Sequence, residues 1–295
     1  VRLFLVLGGA GLMLACWRSL RETRPHWFYG AAAFLGAASG FRPELLIFGT
    51  PLLIYTGWRS RRSVREWAVA AGLMSITAGA WLAVVLATVG GPNAYIRLIA
   101  DYSSAQFSAT ALPFGAELQP AYRMMKMAII WYGVPVLTWL WLLPFAKGVL
   151  QELKDAAAFL GIALMPAFLF HSFIHVGDPD HTLIGAPVIC VIGGLVVARA
   201  RRAGFAAAAV ALNVVLFFLP QKGIGRACSY YAVRDVDRLT QETFAAVRDL
   251  KKGGPVVLVA YDHQVTWRHL SYYFPECPLI VLRDDPRLTT GSASA

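Results

Sequence analysis

Apolar residues run along this chain in long unbroken blocks, not in the alternating or three-to-four spacing of half-buried elements, and short arginine-rich breaks separate them. The blocks are Leu3 to Trp17, Trp27 to Gly40, Leu45 to Trp58, Trp67 to Val89, Met127 to Ala146, Ala156 to Ile174, Leu183 to Ala198 and Phe205 to Leu219. Several approach the roughly 20 residues that a helix needs to cross a bilayer. The pattern predicts an all-α polytopic membrane protein with about seven spans. The two short blocks around Arg42-Pro43-Glu44 read as a hairpin, and Gly90-Gly91-Pro92-Asn93 reads as a turn. Residues 95–126 read as a mixed loop and 147–155 as a polar connector.

From Gln221 onward the rhythm changes. Val233 to Leu250 carries Val236, Leu239, Thr243, Val247 and Leu250 on one stripe, as an amphipathic helix does. Gly253-Gly254-Pro255 stops it; Val256 to Ala260 and Leu279 to Leu282 read as strands with a helix at Thr266 to Phe274 between them. The expected organisation is a transmembrane helical domain over 1–220 followed by a small α/β module over 221–295.

Composition sharpens this picture. The chain is 57% hydrophobic and 15% charged, against about a quarter charged in soluble domains. Its net charge of +10 sits in short loops between apolar blocks, which points to a membrane surface and away from nucleic acid. Alternate loops (18–24, 59–65, 147–154, 199–202) hold twelve Lys and Arg, and the others (around 42, 90–126, 174–181) hold four. The positive-inside rule then places the first set in the cytoplasm, with the bacterial inner (plasma) membrane as the expected location. Arg42, the 90–126 loop, the 174–181 turn and the C-terminal module fall on the periplasmic or extracellular face. The chain opens at Val1 inside an apolar run, without a basic leader or cleavage site; the expectation is a piece of a longer protein.

The polar break His171-Ser-Phe-Ile-His175-Val-Gly-Asp178-Pro-Asp180-His181 carries the densest chemistry. Ionisable groups are costly at membrane depth, so such a cluster is a functional-site hypothesis. His171 and His175 are four apart and share a face on a helix, within reach of one phosphate or one ion. His171, His175 and Asp178 leave room for a divalent metal such as zinc. The glutamate of a zinc protease helix is missing between them. The competing reading is structural: Asp180 caps a helix beginning near Thr182, and His175 sits at a helix C-terminus, favoured by its dipole.

Further candidates share the outer side. Arg42 could grip a phosphate by a charge-assisted fork, or pair with Glu44 and snorkel. Tyr95, Leu98, Ile99 and Tyr102 at helical spacing predict an interfacial helix. Arg123 and Lys126 stand just before a span, where they would meet an anionic head group or act as anchors. Asp262 and His263 end the first strand, with no glycine-rich phosphate fingerprint beside them. Cys228 and Cys277 fall in the outward module, where an oxidising compartment permits a disulfide; Cys16 and Cys190 lie in apolar blocks as packed residues.

These residues carry a resemblance. FLGAASGFRPELLIFGTPLLIY resembles the Gly-rich hairpin ending in Arg-Pro of the GT-C membrane glycosyltransferases. Trp81, Gly90-Gly91 and Tyr95 are similar to their Trp, Gly-Gly turn and outer-loop Tyr, and HVGDPDHTLIGAPVICVIGGL to their late outer turn. The match spans residues 28–200, nearest to bacterial members like the protein mannosyltransferases and the lipid A aminoarabinose transferases. It implies transfer of a sugar from a polyprenyl-phosphate-linked donor to a lipid, glycan or protein acceptor. It also implies a catalytic carboxylate in a first outer loop, which would precede Val1. The residues left for substrate would be Arg42, Glu44, Tyr95, Arg123, Lys126, His171, His175, Asp178, Asp180 and His181. Asp178-Pro179-Asp180-His181 departs from the Gly and aromatic usual there. A lipid or small-solute transporter is the alternative, against which the siting of ionisable residues at helix ends speaks.

Overall fold

The structure, a computed structural model, describes residues 3–175, 179–200, 203–219, 229–261 and 266–282. They fall into two compact units, Val1–Phe217 and Phe218–Ala295. The first unit is helical: α1 (Leu3–Arg21), α2 (His26–Ala38), α3 (Glu44–Arg59), α4 (Val64–Val89), α5 (Pro92–Thr110), α6 (Leu118–Leu140), α7 (Val149–Phe173), α8 (Ala186–Arg199) and α9 (Ala203–Phe218). The region read as a mixed loop is thus mostly helix, formed by α5 and the first turns of α6. The polar connector is in turn the opening of α7.

Four stretches among the described residues are long and apolar enough to cross a membrane: Phe4–Arg21, Val64–Val89, Ala156–Phe173 and His181–Arg199. The expected seven spans are not supported. With 13 and 16 residues, α2 and α3 rise only about 20 and 24 Å, short of the roughly 30 Å hydrocarbon core. α6 is long enough, but Gln119, Arg123 and Lys126 dilute its first half. α9 is apolar and shorter than the four. α4 makes the case for a membrane most directly: its mean hydropathy reaches 2.0 while only 6% of it is buried within the bundle. A helix apolar all round and this exposed suits hydrocarbon, not water.

The core gathers Leu12, Cys16, Phe28, Leu35, Leu45, Leu52 and Val188 from α1, α2, α3 and α8. Small residues let helices approach without a hydrophobic drive between them. At Gly36 of α2, an added Cβ would collide with Thr77 Oγ1 and the Met74 carbonyl of α4. Trp81 of α4 closes the same contact, its Nε1 donating to Gly36 O at 3.1 Å and to Ser39 Oγ at 3.1 Å. Cys16 is packed as expected, but Cys190 is exposed on α8.

The helix ends segregate by charge. At one end, Arg62 donates to the carbonyls of Ser19, Glu22 and Thr23 at 3.0, 3.1 and 2.7 Å, tying the α3–α4 connection to the end of α1. Ser63 caps α4 reciprocally with Glu66, Trp17 meets Phe159 edge-on at 5.3 Å, and Glu152 at the start of α7 pairs with Arg199 at the end of α8. At the other end, Phe4 stacks on Phe41 at 4.2 Å and Phe48 meets Phe170 at 5.4 Å. The first set of basic loops therefore gathers at one end of the bundle, and the α2–α3 turn lies at the other, with the C-terminus of α7.

The second unit holds α10 (Tyr230–Lys251), β1 (Leu258–Tyr261), α11 (Thr266–Tyr273) and β2 (Leu279–Leu282). The two strands pair in parallel, Leu258 opposite Leu279, joined through α11. Phe244, Val247, Leu258, Ala260, Leu270, Phe274 and Cys277 form its core. The expected α10 stripe is only partly buried. Val236, Leu239 and Leu250 remain 50%, 56% and 63% exposed, because the short βαβ piece covers only the part of the helix around Phe244 and Val247. Cys228, Asp262 and His263 lie outside the described residues, and with them the expected disulfide and strand-end pair.

Candidate functional site

The candidate site lies at the end of the bundle away from the arginine cluster. α7 delivers His171 in its last turn, where the helix dipole favours it. The helix stops at Phe173, and His175 follows just past it, its N–H bonded back to the Phe170 carbonyl at 3.0 Å. The four-residue spacing therefore does not pair the two histidines on one helical face. His181 bridges them, its ring 6.3 Å from His171 and 6.0 Å from His175.

His181 rides on a 3-10 turn, Pro179–Gly185. α8 begins only at Ala186, with Gly185 as N-cap and no side-chain cap bond, so no α-helix begins near Thr182, and Asp180 belongs to the turn. Gly185 is required by proximity: an added Cβ would strike the Tyr132 ring.

His171 is 3% exposed and Tyr132 is 6% exposed. Their bond, Tyr132 Oη to His171 Nδ1, is 2.8 Å long. When Tyr132 donates, Nε2 carries the ring proton and becomes the donor left for a ligand. Phe48 and Phe170 pack edge-on against the imidazole at 5.7 and 5.8 Å, and Phe107 of α5 reaches His175 at 6.5 Å. The imidazoles are thus ringed by aromatic side chains.

Arg42 lies within electrostatic reach of His171. Its Nε faces Glu44 Oε2 at 3.6 Å, beyond hydrogen-bond length, and both atoms are buried without a hydrogen-bond partner. Buried polar atoms of this kind are rare and invite an explanation; an oxygen-rich ligand would supply the missing acceptor for Nε.

The sequence candidates divide accordingly. Arg42, Glu44, His171, His175 and His181 come together. Tyr95 does not: it lies twelve residues from Phe107 on α5, about 18 Å along the axis. Arg123 and Lys126 are exposed on α6, about 13 and 9 Å along that helix from Tyr132. Asp178 lies outside the described residues. Among the described residues no three His, Cys, Asp or Glu side chains form a metal-ligand group; the set expected from His171, His175 and Asp178 includes a residue outside them. Tyr132, Phe48 and Phe107 were hidden in apolar blocks or in the supposed loop. A tyrosine within such a block is the readable signal, since its hydroxyl needs a partner when buried.

No family model, curated protein or solved structure matches this chain. The class defined by fold and site is a helical protein with helices long and apolar enough to cross a membrane and a histidine–aromatic cluster at one end of the bundle.

Proposed function

We propose that this pocket handles the phosphate of a polyprenyl-phosphate-linked sugar and that the protein transfers the sugar to a lipid, glycan or protein acceptor at the outer face of a bacterial inner membrane. The observation that carries the reading is that Arg42 lies within electrostatic reach of His171, itself clustered with His181 and His175, at the end of the bundle opposite the arginine-rich loops. In such a transfer the acceptor hydroxyl attacks the anomeric carbon while its proton passes to the carboxylate base that the resemblance implies, and the bond to the carrier phosphate breaks with its electron pair staying on phosphate. A guanidinium and an imidazole N–H aimed at that oxygen stabilise the charge as it develops. In this reading Arg42 and, when Tyr132 donates to Nδ1, His171 Nε2–H do that work, and the aromatic rings lower the local dielectric in which it is done. His175 and His181 would orient the phosphate. No step in this reading needs a divalent metal.

The test is full-length protein in liposomes supplied with a polyprenyl-phosphate sugar, with release of carrier phosphate measured. Arg42→Gln and His171→Phe are expected to lower release at least tenfold, the loss of one charge-stabilising donor. Movement of a solute across the vesicle with no carrier released would instead establish the transporter.

A further inference from the structure

At the arginine-rich end, the other end of the bundle from the proposed transfer site, an open cleft of about 990 Å³ lies between the end of α3 and the start of α4. Tyr55, Trp58 and Trp67 form its walls, and Arg59, Arg61 and Arg62 line it; no acidic side chain does. Trp58 is 72% and Ile54 52% exposed, so the cleft continues onto apolar helix surface.

Two details separate this place from an ordinary basic loop. Arg62 is 4% exposed at its side chain. Its terminal nitrogens are spent on the carbonyls at the end of α1 and on Glu66, yet its Nε is buried with no hydrogen-bond partner. Arg61 holds a left-handed backbone, φ 53. It stands at the position after the C-cap, where Arg61 N–H bonds to Trp58 O and Arg62 N–H to Gly57 O at 3.1 and 3.0 Å. That pattern closes a helix best with glycine. An arginine there keeps a side chain at a conformational cost, which is understandable if the side chain has a ligand.

We infer that this cleft binds the phosphate of an anionic phospholipid from the leaflet at the basic end of the bundle. Arg59 and Arg61 grip the head group, Arg62 Nε provides a donor from the floor, and an acyl chain lies along Ile54, Tyr55 and Trp58. The chemistry fits a lipid better than a soluble anion because the charged rim and the exposed apolar wall are contiguous, and because aromatic rings beside arginines mark the membrane–water boundary. The site would fix the depth and orientation of the bundle in the membrane.

The test uses the full chain in neutral detergent micelles, titrated with phosphatidylglycerol, phosphatidylcholine or inorganic phosphate. Bound lipid is read by native mass spectrometry and the melting temperature is followed. Phosphatidylglycerol is expected to bind saturably and raise the melting temperature; phosphatidylcholine and millimolar phosphate are not. Arg59→Gln with Arg61→Gly should weaken phosphatidylglycerol binding roughly 25-fold, at about fivefold per arginine. Arg61→Gly alone should keep or raise the melting temperature without lipid, since glycine accepts that backbone, which separates lost binding from lost folding. Arg248→Gln, on the exposed face of α10, should bind as the parent does. Equal binding of both lipids, an unchanged affinity in the double variant, or saturation by inorganic phosphate in the same range would overturn the proposal. None of these outcomes bears on sugar transfer at the other end.

Discussion

Replacing Tyr132 with phenylalanine tests the pocket at its centre. The substitution removes one oxygen and leaves the ring, so the packing of α6 against α7 is kept. What is lost is the 2.8 Å bond to His171 Nδ1. Because His171 is 3% exposed, the imidazole nitrogen is left buried without its protein partner. Such an orphan costs about 1–3 kcal/mol. His171→Phe would orphan the tyrosine hydroxyl in turn, at a similar cost. Making both changes removes both polar atoms and leaves two rings in contact, and such paired removal can be nearly neutral. The double variant should therefore recover part of the loss, with a coupling of about 0.6 to 1.5 kcal/mol, the lower figure being the average for membrane helices. Equilibrium unfolding of the four proteins in mixed micelles measures it. Strict additivity, or a Tyr132→Phe cost below about 0.3 kcal/mol, would show that the bond does not hold the imidazole, and the assignment of Nε2 as the free donor would fall with it.

Gly36→Ala forces a methyl into the Met74 carbonyl and Thr77 Oγ1. It should cost about 1–3 kcal/mol and lower the unfolding midpoint by driving α2 from α4; an unchanged midpoint would mean the contact is not that close. Arg62→Gln removes the fork that joins the carbonyls of Ser19, Glu22 and Thr23, an expected loss of about 2–4 kcal/mol, and increased protease cleavage at 19–26 would report it. In the second unit, Lys251 and Glu276 form an exposed ion pair. Hydrogen bonding from Lys251 holds the Glu276 carboxyl below its ordinary range, and the bond to Glu276 holds Lys251 above its own. The depressed acid contributes stability that disappears as pH falls through its folded pKa; the raised base contributes stability that disappears as pH rises through its folded pKa. Glu276→Gln should therefore differ from the parent in melting temperature near neutral pH, and the two should converge at acid and at strongly alkaline pH.

How much could be read from the sequence depends on the range of the forces involved. Hydropathy is local, so the apolar blocks, the change of composition near 221 and the two strands were legible. The strands fall at 258–261 and 279–282, against expected runs at 256–260 and 279–282. Helix length was less legible. The stretch 92–110 is helical although Arg97, Asp101 and its serines make it polar by composition, and Met127 is the tenth residue of α6, not its start. Neither helix has a side-chain N-cap bond; α5 starts where the Gly90-Gly91 turn meets Pro92 at its first position. The site was legible in its ionisable members and illegible in its geometry. The spacing of His171 and His175 presumes a helix that in fact ends between them, and His181 meets them only because the chain folds back through a 3-10 turn. Tyr132 is thirty-nine residues from His171, and no local pattern joins them.

The segregation of arginines also sharpens what Arg42 can be. At the basic end, arginine has evident structural work. Arg62 satisfies the carbonyls that end α1, Arg199 joins α8 to Glu152, and Arg18 and Arg21 lie over Trp27 and Trp17 at 6.0 and 4.8 Å. Arg42 has a different setting. Its neighbour Glu44 is too far for a hydrogen bond to Nε, and His171 lies within its electrostatic reach. Glu44 offsets the charge of Arg42 without satisfying its Nε, so the ion pair leaves a buried donor unused. The bundle therefore holds at this end a guanidinium N–H without an acceptor, where the terminal nitrogens of Arg62 at the other end have theirs.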